Sequence, residues 1–117
     1  MKKEHLAVEQ LRFQVNPDRI EQWIDLDHEI WTKGLEQWPG FSSKEVWVSA
    51  DRPGEVITVI YWDDYELWKA VDEQWLKETD HRFCEQFGVQ DMKFIEGMHE
   101  KNQFYKVCSH AKGEDQQ

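Results

Sequence analysis

The segment Val56–Trp62, VITVIYW, is built almost wholly of β-branched and aromatic residues. It follows the turn-forming stretch ADRPGE and precedes the acidic pair Asp63-Asp64, so it reads as a strand. Side chains alternate along a strand, which puts Val56, Ile60 and Trp62 on one face and Ile57, Val59 and Tyr61 on the other. A strand apolar on both sides cannot leave either face to water. Whatever fold the chain adopts must cover this segment twice.

The neighbouring segments say how the first face is covered. Leu6 to Val15 alternates Leu11, Phe13 and Val15 against Arg12 and Gln14, as a strand does, and Ser43 to Ser49 is a further strand. Asn16 and Pro17 suit the N-cap and first position of a helix running to about Gln37, where Pro39 and Gly40 stop it. A second helix is expected from about Tyr65 to Phe87, capped by Asp63 or Asp64 and closed by Gly88. Met92 to about His99 forms another strand, with a short fifth at Phe104 to Cys108 before a polar tail, AKGEDQQ, expected to be disordered. The order β-α-β-β-α-β specifies an α+β, ferredoxin-like protomer, an antiparallel sheet with both helices on one face. Residues 1–99 form a single domain, and 100–117 the short strand and tail. The sheet's second apolar face then calls for a second copy of the same sheet, which predicts a homodimer.

The helices carry the candidate chemistry. At about 100° per residue, Ile20, Trp23, Ile24, Ile30, Trp31, Gly34 and Trp38 gather on one face of the first helix, with Asp27 at its centre. A wheel centred on Asp72 places Tyr65, Trp68, Trp75, Leu76, Thr79 and Phe83 around a second inward carboxylate. An unpaired buried carboxylate costs several kcal/mol or becomes protonated, so something must answer each of these. One answer is structural: each accepts a hydrogen bond from a buried indole, or Asp72 lies at a frayed helix edge in solvent. The other is a ligand pocket lined by Trp23, Asp27, Trp31, Trp68, Asp72, Trp75 and Thr79, with Asp27 and Asp72 as candidate general bases whose pKa desolvation would raise.

Composition narrows the partners. Fourteen Lys and Arg against 24 Asp and Glu give a net charge of −10, which argues against nucleic acid and offers no attraction to an anionic membrane. No apolar run is long enough to span a bilayer, and the start MKKEHLAVEQ lacks the core of a signal peptide. Cys84 and Cys108 form no CxxC pair and read as free thiols of a cytoplasmic protein. The five histidines show no HxxxH or HExxH spacing, so no metal site is expected, and no glycine-rich phosphate loop is present. His28 sits at the edge of the apolar face. Seven Trp, six Phe and three Tyr must be buried in a core, an interface or a pocket.

The stretch Asp27 to Val71 resembles the core of the dimeric α/β-barrel proteins, the group that includes the antibiotic-biosynthesis monooxygenase-like domains. Within that group it is most similar to a small bacterial subfamily without assigned activity. The resemblance rests on Asp27, Trp31 and Thr32, on Pro39-Gly40-Phe41, on Lys44-Glu45-Val46-Trp47, and on Trp62 and Trp68-Lys69, and covers about residues 6 to 99. It implies a ferredoxin-like protomer whose two sheets pack into a dimeric α/β barrel, with a pocket on each helix-covered face. The wider group includes cofactor-independent oxygenases of aromatic polyketides, haem-degrading enzymes, chlorite-dismutase relatives, isomerases and members with no known activity, so the fold does not select the chemistry. In the haem-degrading branch a second-helix Trp works with a nearby His. Trp68 matches the first, but His81 lies too far along. The reading is a monooxygenase-like protein without a tightly held cofactor, oxidising a small aromatic or polyketide-like compound. The alternative is a non-catalytic small-molecule binding or sensing dimer.

Overall fold

A computed structural model describes residues 2–97 and 103–113. Strand β1 (Lys2–Val15) is the longest, starting four residues before the sequence pattern suggests. A 3-10 turn at Pro17–Arg19 leads into helix α1 (Ile20–Asp27), a π-helical turn (His28–Thr32) and a last turn, α2 (Lys33–Leu35). Asn16 caps the run as expected, its side chain accepting from the Asp18 amide at 3.0 Å. Strands β2 (Phe41–Val48) and β3 (Glu55–Trp62) follow, then helices α3 (Tyr65–Lys69) and α4 (Glu73–Phe87), and strands β4 (Met92–Gly97) and β5 (Phe104–Ser109). Residues 98–99, the expected end of the fourth strand, and 114–117 of the tail lie outside the described residues.

The sheet order is β2-β3-β1-β4, all antiparallel, with β5 pairing the N-terminal half of β1. This is the ferredoxin-like α+β arrangement. The Gly40 turn (φ +90°) admits no side chain, because a Cβ there would stand 2.5 Å from the Cβ of Leu67. The helix-side core falls into two clusters, one around Ile60, Trp62, Trp68 and Val71 and the other around Val56, Trp23, Phe83 and Phe87.

The opposite face of β3 is shielded differently. Val59 is buried, whereas Ile57 and Tyr61 are partly exposed. The Tyr61 hydroxyl donates to Glu45 at 3.2 Å and Lys106 lies 4.9 Å from its ring centroid, so polar side chains cover part of this face. Trp47, paired with Ile57, and Phe104, paired with Val8, stay about half exposed at 49% and 54%.

The second helix departs from expectation. It is not continuous over Tyr65–Phe87: the chain breaks at Ala70–Asp72 and restarts at Glu73. Asp72 is the N-cap of α4, its carboxylate accepting from the Trp75 amide at 2.9 Å. Val71 before the cap and Leu76 at the fourth helical position meet in one apolar cluster, a hydrophobic staple that fixes the new start. An aspartate at the head of a helix satisfies amides that its side chain could not reach from mid-helix.

Candidate functional site

A cavity of about 740 Å³ lies between the helices and the sheet, within the range that holds small organic ligands. Its position follows from strand alternation. Glu9, Leu11 and Phe13 of β1 and Thr58, Ile60 and Trp62 of β3 share the helix-covered face, and Lys44 joins them from the edge strand β2. Cross-strand pairing aligns Lys44 with Ile60 and Ile60 with Glu9, so one row across the sheet carries a cation, an isoleucine and a carboxylate. Trp23, Trp31 and Trp68 close the cavity from the helical layer, while the exposed Val89 and Phe94 stand at its mouth.

Lys44 is what answers Asp27. Its Nζ donates to Asp27 Oδ2 at 2.6 Å, and the two side chains are only 4% and 5% exposed. Burial raises the Asp27 pKa, and the charge and hydrogen bond of Lys44 oppose that shift. The aspartate ends α1 where the helix widens into a π turn, an irregularity often found at functional sites. The wider turn also changes which residue faces inward: Leu35 is fully buried, while Gly34 and Trp38 of the predicted stripe are only partly so. Lys44 was legible only as part of KEVW. Nothing in a helical wheel points to a residue on a strand.

Glu9 is a second carboxylate at the cavity, half-buried, and the sequence pattern did not single it out. Its Oε1 accepts from the indole N–H of Trp62 at 3.1 Å. Among the described residues no protein donor meets its other oxygen. Burial raises its pKa, against the lowering effects of the Trp62 bond and of the Lys69 and Lys44 charges. The signal that could have found it is a lone acid in the inward register of β1, between Ala7 and Leu11. The indole-to-carboxylate bond anticipated for the helical aspartates therefore exists, but on the sheet. The Trp23 and Trp38 indole N–H groups are buried without a partner among the described residues.

The remaining expected site residues separate. Trp23, Asp27, Trp31 and Trp68 line the cavity. Asp72 does not: it is exposed at the head of α4, so it corrects the expectation of a second inward carboxylate on the helices. Trp75 and Thr79 are also outside the lining. Thr79 is buried at 1%, and Trp75 stacks edge-on between Trp31 and Trp38 at 5.9 and 5.5 Å, backed by Gly34. Cys84 lines the cavity, but burial pushes its thiol pKa up, away from the reactive thiolate. His28 is exposed, and His81 is exposed and paired with Glu85 at 2.9 Å. Among the described residues no three His, Cys, Asp or Glu side chains cluster as metal ligands.

No family model and no curated protein matches the chain by sequence. Solved structures do match by shape. SnoaB, a cofactor-independent oxygenase from Streptomyces nogalater, superposes with a TM-score of 0.57 at 13% identity, over 94% of this chain and 99% of that one. The fold is that of the antibiotic-biosynthesis monooxygenase-like proteins. A protein of Chloroflexus aurantiacus J-10-fl assigned to the antibiotic biosynthesis monooxygenases gives a TM-score of 0.59 at 17% identity, over 92% and 99% of the two chains. Protein SO0527 of Shewanella oneidensis gives 0.60 at 16%, over 91% and 95%. No described helix is long and apolar enough to cross a membrane.

Proposed function

We propose that this chain is a monooxygenase-like protein that takes a small, flat aromatic or polyketide-like compound into the cavity and oxidises it with O₂, without a tightly held cofactor. The observation that carries the reading is the cavity itself. Tryptophan and phenylalanine walls suit a planar ring, and a polar floor of the buried pair Asp27 and Lys44 with the half-buried Glu9 suits one polar edge. The likeness to SnoaB supports it at the level of fold.

The chemistry assigned to the chain's residues is modest. An acidic methylene flanked by arenes loses a proton to Glu9, the floor carboxylate that among the described residues is hydrogen-bonded by an uncharged N–H rather than by a cation. The resulting carbanion gives its electrons to O₂ and the two combine. The peroxide takes up the proton and loses water, leaving a carbonyl. One oxygen atom enters the product, the other leaves as water, and the methylene is the reductant. Asp27 and Lys44 hold the floor in place and neutralise each other.

The protein is proposed to work in the cytoplasm as a homodimer, joined through the outer sheet face where Ile57, Trp47 and Phe104 lie. Both cysteines are free thiols, in keeping with a reducing compartment. Sedimentation equilibrium at micromolar concentration should give twice 14.2 kDa; a monomer would remove the sheet-to-sheet dimer. For the activity, oxygen uptake with a tricyclic aryl ketone bearing an acidic methylene should match carbonyl formation one to one. Binding of that compound without oxygen uptake would leave the second reading, a binding or sensing dimer. One observation favours that alternative: Lys44 already occupies Asp27, so one carboxylate is available where two were expected.

A further inference from the structure

We propose that Glu9 makes the cavity selective for the charge of its ligand: a ring bearing a hydroxyl or an ammonium group is accepted, and the same ring bearing a carboxylate is rejected. The inference rests on the cavity being a ligand site and adds the kind of substituent that reaches its floor.

The floor is short of donors. Asp27 and Lys44 neutralise each other at 2.6 Å, both almost wholly buried. That leaves Glu9, whose neighbour Trp62 supplies one uncharged N–H. A carboxylate has about four acceptor positions, and a half-buried one facing a cavity with positions unused favours a ligand that donates. The other cation that acts on Glu9 is Lys69, which is exposed and lies over the Trp68 and Tyr65 rings at 4.6 and 5.5 Å. Its charge has a larger effect on Glu9 than that of Lys44, but it acts from an exposed position where water and salt screen it.

The walls and the rim act in the same direction. Aromatic faces carry negative potential, which attracts cations and repels anions. Among the charged lining residues, Glu9, Asp27, Glu73 and Asp80 outnumber Lys44, Lys69 and Lys77 by one. The chain as a whole carries −10, a field that disfavours the approach of acids. A carboxylate ligand would bring a second uncompensated negative charge to the floor, whereas an ammonium would supply the missing positive one.

Titration calorimetry on the full chain with three probes of one ring, 2-naphthol, 2-naphthylmethylammonium and 2-naphthoate, tests this at neutral pH. The first two should bind at least about tenfold tighter than the third, the ratio that one unfavourable charge contact of about 1.4 kcal/mol produces. Glu9→Gln keeps the side-chain size and an acceptor for Trp62. It should weaken the ammonium probe about tenfold, change the naphthol little and tighten the naphthoate. The ammonium preference should also fade as acid protonates Glu9, with Lys69 and Lys44 as the cations acting on it and Asp27 sharing the cavity. Naphthoate binding as tightly as the ammonium, or an unchanged order in a Glu9→Gln protein of native circular dichroism, would overturn the inference. No binding by any probe would remove the cavity reading and this inference with it. The predicted order without oxygen uptake by the aryl ketone would keep the selectivity and remove only the oxygenase.

Discussion

Asp27 and Asp72 begin from nearly the same local sequence and end in opposite surroundings. Each has a tryptophan four residues before it and another three or four after it. Asp27 is buried beside Lys44 at the floor of a cavity, while Asp72 stands in solvent at the start of a helix. The first helical run continues past its aspartate by widening into a π turn. The second stops, because Asp72 caps the next helix and Val71 and Leu76 pin that start. A helical wheel assumes an unbroken helix. Where the residue at its centre is also a good cap, that assumption is the weak step.

The largest effects should come from the Asp27 side of this comparison. Lys44→Met leaves a buried carboxylate unpaired and should cost on the order of 3–5 kcal/mol in urea melts at neutral pH. The double variant Asp27→Leu/Lys44→Met should recover most of that loss, since the two sites interact directly. A loss of under about 1 kcal/mol for Lys44→Met would mean that the pair is solvated and that Asp27 resembles Asp72 after all. The pH dependence has a definite sign. Because burial raises the folded pKa of Asp27, the folded state binds the proton more tightly than the unfolded chain. That contribution is fully present below the ordinary aspartate pKa and is lost as pH rises through the elevated one. The cost of Lys44→Met should therefore shrink toward acid pH, and urea melts across that range would show it.

An intermediate effect is expected where the two helical runs touch. A Cβ on Gly34 would stand 2.7 Å from Cζ2 of Trp75, whose ring meets Trp31 edge-on. Gly34→Ala should destabilise by about 1–3 kcal/mol, as overpacking does. It should also shift tryptophan fluorescence as Trp75 moves against the cavity wall. An unchanged spectrum and unchanged stability would show that the helices can part there freely.

The smallest effect belongs to Asp72. Asp72→Ala should cost about 1 kcal/mol, the usual value of an N-cap, and Asp72→Ser should restore most of it. Neither variant should alter binding of the naphthyl probes. A loss of several kcal/mol for Asp72→Ala, or lost binding, would return Asp72 to the interior and undo the comparison.

Much of the architecture was written in local pattern. Alternation in β1 and β3, the Asn16-Pro17 start, the Pro39-Gly40 stop and the order of elements all depend on residues near one another in the chain, and each specifies its element almost unaided. The restart at Asp72 is local too, resting on its own capping side chain and the staple pair Val71 and Leu76. The sequence alone also determined that Asp27 would be buried and would need a partner. The partner's identity came only with the tertiary structure. Lys44 lies 17 residues away on an edge strand, and Glu9 faces Trp62 across 53 residues of chain. Local periodicity records which way a side chain points relative to its own helix or strand, and carries no record of which other element will be packed opposite. That information resides in strand register and in the placing of helices on the sheet, where many weak contacts are satisfied together.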